Sequence, residues 1–159
     1  AGAGGGHLKM SRSHERILLA TLLLASCSQS GAPDIQVKDA WARATVTGQS
    51  SGAAYMTIAN RGSGDDRLIA VSAPIPATAM VHSTSSQGGV SSMSAVDAGL
   101  DLPAGTTVEL KPLGTHVMIS GLSGPLEAGS TLPLTLQFER SGKRAVQVRI
   151  IDATSTGPR

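Results

Sequence analysis

Leu132, Leu134, Leu136 and Phe138 recur at every second position, and so do Val146, Val148 and Ile150. A period of two places each set on one face of an extended strand. Nine strand-like runs follow one another near residues 35–43, 53–60, 67–73, 78–83, 89–96, 107–111, 116–121, 131–139 and 144–151. Most are separated by turn-forming clusters such as Asn60-Arg61-Gly62, Pro74-Ile75-Pro76, Gln87-Gly88-Gly89, Pro103-Ala104-Gly105 and Ser141-Gly142. Short strands with regular turn signals predict an all-β chain, an antiparallel sandwich or barrel. Outside the first 26 residues no long stretch repeats at the helical period, and there is no internal repeat. Residues 153–159 read as a loose tail.

Length and composition narrow this picture. A chain of 159 residues with 40% hydrophobic positions suits one domain with a core, and 19 Gly with 8 Pro favours strands and turns over helices. Lys9, Arg12, Arg16 and Glu15 account for the whole net charge of +2; from Cys27 onward ten Lys and Arg balance ten Asp and Glu. A neutral domain without a basic stripe lacks the footprint that phosphate binding requires, so no nucleic-acid partner is expected. Coiled coil, disorder and a multi-span membrane protein are excluded on the same composition.

The first 27 residues concern destination, not fold. Residues 1–9 read as an upstream extension and Met10 as the start. Arg12 and Arg16 precede the apolar stretch Ile17–Ala25, which fits a signal-peptide core and is too short to span a bilayer. Leu24-Ala25-Ser26-Cys27 resembles the lipobox of bacterial lipoproteins, which implies acylation of Cys27 after removal of residues 1–26. Several acyl chains anchor stably where one is marginal. The expected organisation is therefore a leader (1–26), a lipidated Cys27 with a tether (27–33), one β domain (34–152) and a tail (153–159). The expected location is the periplasm, held to the inner or outer membrane.

Candidate chemistry is sparse. From Cys27 onward there are two histidines, His82 and His116, and four methionines, Met56, Met80, Met93 and Met118. His116 and Met118 are two apart on one strand and share a face. A two-residue Gly88-Gly89 turn sets Thr84 opposite Met93, with His82 diagonal to it; a Gln87-Gly88 turn sets His82 directly opposite Met93. Either way the two lie within roughly 4.5–8 Å on one face. A three-residue loop puts them on opposite faces. Two imidazoles and two thioethers form a soft, neutral donor set. Thioethers select Cu(I), whereas zinc prefers Cys, His and carboxylate, and a blue-copper site needs a thiolate. Such a set loses metal in acid only through its histidines. By itself His-x-Met is a weak signal, because a strand methionine usually fills space. Met56 alternates with Ala54 and Ile58 and reads as core; Trp41 and Tyr55 read as packing residues. Met80, two before His82, shares its face and reads as packing near the site, with ligation as the alternative.

The order His82, ten residues, Met93, twenty-two residues, His116-Val117-Met118 resembles the motif of the periplasmic PCuAC-type copper chaperones. Ala40-Trp41-Ala42-Arg43-Ala44-Thr45, the Gly52–Asn60 run, Asp65-Asp66-Arg67-Leu68, Leu102-Pro103-Ala104-Gly105 and Leu132-Pro133-Leu134-Thr135-Leu136 extend the likeness over residues 39–150. The resemblance implies a cupredoxin-like, antiparallel Greek-key β-sandwich with one exposed Cu(I) held by His82, Met93, His116 and Met118. It further implies a monomeric non-enzyme that passes copper towards the binuclear site of cytochrome c oxidase subunit II, directly or through a Sco-type protein. Ser83 and Thr84 stand where many relatives have an acidic residue and a Met, and Ser120 where many have a second Met. The spacing before His116 is one residue longer than usual, and there is no His- and Met-rich tail, so a second copper site is not expected. The rival readings are a copper-buffering or resistance lipoprotein and a metal-free β-sandwich scaffold, for which His82 and His116 would lie apart. No Gly-x-Ser-x-Gly elbow, His-Glu-x-x-His or glycine-rich phosphate loop suggests an enzyme.

Overall fold

The computed structural model describes residues 1–5 and 31–158; residues 6–30, with Cys27 and the apolar stretch of the leader, lie outside the described residues. Ten strands and, among the described residues, no helix make up the domain: β1 (Ile35–Arg43), β2 (Ser51–Asn60), β3 (Asp66–Ser72), β4 (Thr78–Gln87), β5 (Val90–Ala95), β6 (Leu100–Leu102), β7 (Thr107–Leu110), β8 (His116–Ser120), β9 (Thr131–Phe138) and β10 (Gly142–Ile151). All nine expected strands are present. The additional one, β6, has three residues, too few for a period of two to show; it pairs with β3, its Asp101 opposite Arg67.

The strand order is β5-β4-β8-β2-β1-β10-β9-β3-β6, with β7 paired to β2. A β3–β4 bridge at Val71 and Ala79 closes this sheet on itself around one core. Every described pairing is antiparallel except β1 with β10, which run parallel at Trp41–Arg43 against Arg149–Ile151. Leu132, Leu134, Leu136 and Phe138 all point inward and are buried, as are Val148, opposite Leu132, and Ile150. Met56 is 2% exposed between Ala54 and Ile58, a core position as its alternation indicated. Each such side chain removed from water contributes about 1.5–3 kcal/mol before entropic costs are set against it.

Two polar hubs hold the loops at the end of the domain where β2 finishes and β3 begins. Asn60 is 1% exposed and makes four hydrogen bonds: its amide donates to the Gly64 and Leu102 carbonyls, and its Oδ1 accepts from Asp34 and Gly62. The Asp66 carboxylate accepts from the backbone amides of Arg67, Arg140 and Ser141. Burial pushes the Asp66 carboxyl up, but hydrogen bonds from Ser141, Arg140 and Arg67 outweigh it and hold the group below the usual carboxylate range.

Two further local features position the site. Asp39, with φ at 51°, makes a bulge that shifts the β1–β2 register between Lys38 and Trp41 and sets Trp41 opposite Tyr55. Asp tolerates the left-handed region better than most residues. Residues 155 and 157 contact β1. Ser155 O accepts a 2.9 Å bond from Arg43 Nε, and Gly157 lies against Trp41, so the segment turns back over β1.

Candidate metal centre

The β4–β5 hairpin turns through Gly88 (φ 58°) and Gly89 (φ 81°), both in the left-handed region that a two-residue type I′ turn demands. The register follows: Gln87 pairs Val90, Thr84 pairs Met93 and His82 pairs Ala95. Met93 is therefore diagonal to His82 on the same face, the first of the three possibilities that the sequence left open.

β8 supplies the other half. Its ladder with β4 sets His82 directly opposite His116 and Met80 directly opposite Met118. The two imidazole centroids are 6.1 Å apart, at an interplanar angle of 43°. With metal–nitrogen bonds of about 2 Å, two imidazoles on one ion have centroids about 5–6 Å apart, so this spacing fits a shared ion. Met93, His116 and Met118 line one open hollow of about 410 Å³ together with Tyr55, Ala53 and Arg43. His82 faces His116 from the neighbouring strand. Met93 is 52% exposed, while His116 is 7% exposed.

The two histidines differ in how they are held. His116 Nδ1 lies 3.0 Å from the Gly114 carbonyl oxygen. A carbonyl only accepts, so Nδ1 carries the proton and Nε2 keeps its lone pair for a metal. The turn Lys111–Thr115 aims that carbonyl: Lys111 N donates to Thr115 O, Gly114 N donates to Lys111 O, and Leu113 takes φ at 64°. His82 Nδ1, by contrast, is buried with no hydrogen-bond partner. An unpartnered buried nitrogen costs about 1–3 kcal/mol, which binding an ion would relieve.

Apart from Arg43 the hollow is lined by uncharged residues. Among the described residues no group of three or more His, Cys, Asp or Glu is placed to hold a metal ion, so the thioethers must complete any site. Burial raises the Tyr55 phenol above its ordinary pKa, an effect the Arg43 charge partly offsets, and the group stays neutral at physiological pH. Trp41, Tyr55, His116 and His82 form one aromatic row across β1, β2, β8 and β4, with successive centroids at 4.5, 6.4 and 6.1 Å. Trp41 and Tyr55 are packing residues, as read from the sequence, but they pack against the site itself. That relation, the Gly114 contact and the Met80–Met118 pair lie beyond what the sequence patterns reach. Tyr55 alternates with Ala53 on β2, which hinted at a shared face; the other two depend on the long-range β4–β8 register and the loop before it.

The fold defines an all-β, cupredoxin-like domain whose open face gathers two imidazoles and several thioethers. A family model described as "Putative lipoprotein LpqE-like" matches residues 35–150. The chain belongs to that family, which is of the PCuAC type. A relative from Leifsonia xyli subsp. xyli (strain CTCB07), described as "Putative lipoprotein Lxx21020", is 33% identical over 121 residues, covering 76% of this chain and 72% of the relative. Among solved structures, the copper-bound PCuAC domain from PmoF2 superposes with a TM-score of 0.63 at 24% identity, over 74% of this chain and 92% of that domain. The Cu(I) form of DR1885 from Deinococcus radiodurans superposes at 0.54 with 29% identity, over 76% of this chain and 83% of that one.

Proposed function

We propose that this protein is a lipid-anchored periplasmic Cu(I) carrier, in which His82, Met93, His116 and Met118 hold one ion. The observation that carries the reading is the His82–His116 pair, with centroids 6.1 Å apart and His116 already in the tautomer that presents Nε2. Met93 and Met118 add two neutral sulfurs beside it, and such ligands favour Cu(I) over zinc or calcium. A structurally similar protein, DR1885, is known in a Cu(I) form.

Copper is cargo here. An exposed site of neutral ligands holds the ion by contacts that an incoming thiolate or imidazole can replace one at a time. Only metal–ligand bonds form and break, so no catalytic residue is assigned. Removal of residues 1–26, acylation of Cys27 and a tether over residues 27–33 would keep the domain at a membrane surface. The recipient is subunit II of cytochrome c oxidase or a Sco-type protein.

The test is anaerobic mixing of the Cu(I)-loaded protein with the apo copper-binding fragment of oxidase subunit II, or with an apo Sco-type protein, followed by separation and metal analysis. Copper is expected on the recipient. Copper that stays on the donor with both recipients would leave a buffering protein and refute delivery.

A further inference from the structure

Met80 stands directly opposite Met118, one same-face step from the His82–His116 pair. Opposed residues share a face, with Cβ atoms about 4.5–5.5 Å apart. Same-face neighbours along one strand are about 6.5–7 Å apart. His82, His116, Met118 and Met80 are therefore the four corners of one quadrilateral on two adjacent strands. An ion above its centre has a donor at each corner without drawing on any third strand.

Met93 reaches the same ion from elsewhere. It lies on β5, opposite Thr84, on the other side of the histidine row from Met80. Both thioethers are open to solvent, Met80 at 46% and Met93 at 52%. In the structure Met93 lies in the hollow with His116 and Met118, while Met80 lies in a groove beside Ile69 and Val96. An unbranched thioether with three rotatable bonds swings readily between such positions.

We propose that Met80 is a fifth soft donor, and that the fourth ligand of Cu(I) exchanges between Met93 and Met80. The proposal rests on the copper reading above. It gives Met80 a role in transfer: when Met93 leaves for solvent or for a recipient's ligand, Met80 keeps the ion four-coordinate on the two inner strands. Ligand exchange moves no electrons, and the sulfur lone pair is the only group that changes partner.

The test uses the full chain with Cys27→Ser, which removes a thiol that would itself bind Cu(I), and methyl-labelled methionine under anaerobic conditions. One equivalent of Cu(I) is expected to shift the methyl signals of Met80, Met93 and Met118 and to leave that of buried Met56 in place. In Met93→Leu the protein still binds one ion, and the Met80 signal shifts further. The Met80→Leu/Met93→Leu pair then weakens binding at least about 100-fold beyond Met93→Leu alone, more than the 10–100-fold usual for an outer contact to a metal ligand. Leu is close to Met in volume, so the fold is retained, as circular dichroism would verify. A Met80 signal that stays still in both wild type and Met93→Leu, or a double variant no weaker than Met93→Leu, overturns the proposal while the copper reading stands. His116→Ala/Met118→Ala, run alongside, separates the two failures: binding as tight as in wild type would overturn the copper reading and the Met80 role with it.

Discussion

Replacing Asn60 by Ala removes four hydrogen bonds from a side chain that is 1% exposed. Two of the abandoned groups, the Gly64 and Leu102 carbonyls, take buried bonds of 2.8 and 2.9 Å and have no water to turn to. Leaving each unsatisfied costs about 1–2 kcal/mol. The Asp34 and Gly62 amides are only partly buried and can hydrate, so each costs about 0.5 kcal/mol. Asn60→Ala should therefore destabilise the domain by about 3–5 kcal/mol, which lowers Tm by roughly 10–20 °C in a domain of this size. Asn60→Asp is the control: it keeps the acceptor but turns a carboxylate towards two carbonyls, and should be at least as damaging. Urea unfolding followed by circular dichroism measures both. Because Asn60 lies at the opposite end of β2 from the site, the folded fraction of either variant should bind copper as wild type does. A loss below about 1 kcal/mol for Asn60→Ala would show that the four bonds do not hold this corner together.

Acid should weaken the fold through Asp66. Its folded pKa lies below the ordinary value, so its contribution is fully present above about pH 4 and is lost as pH falls through the lowered pKa. The stability gap between wild type and Asp66→Asn, read from urea midpoints across pH, should be constant near neutrality and close in acid; a gap that widens in acid would contradict the assignment. At the hairpin, Gly88→Asn should be neutral because Asn suits a type I′ turn, whereas Gly88→Val should cost about 1–2 kcal/mol in thermal or urea melts. Equal melts for the two variants would mean that the left-handed turn does not set the Met93 register.

The parts of this molecule legible in its sequence are those governed by local rules. Leu132 to Phe138 announce their strand by alternation, and the Gln87-Gly88-Gly89 cluster limits the β4–β5 register to a few choices because a tight turn fixes its own flanks. The β4–β8 register has no such local determinant. It joins segments separated in the chain by three other strands, and only the folded sheet shows that His82 meets His116 and Met80 meets Met118. Asn60 reads as a turn residue because Asn-Arg-Gly is turn chemistry; that it is also buried follows from packing against Gly64 and Leu102, which no short window contains. The final segment reads as loose from its Gly, Pro and small polar residues, yet Arg43 and Trp41 give it a surface to fold back on.

We propose that one soft site built on His82, Met93, His116 and Met118 holds a single Cu(I). The most direct test is an anaerobic competition titration of the Cys27→Ser chain against a colorimetric Cu(I) chelator, with His116→Ala/Met118→Ala in parallel. Wild type should withdraw one equivalent of copper from the chelator, and the variant, equally folded, should withdraw none. Failure of wild type to compete, or equal competition by both proteins, would contradict the account and leave a β domain whose paired histidines serve only its packing.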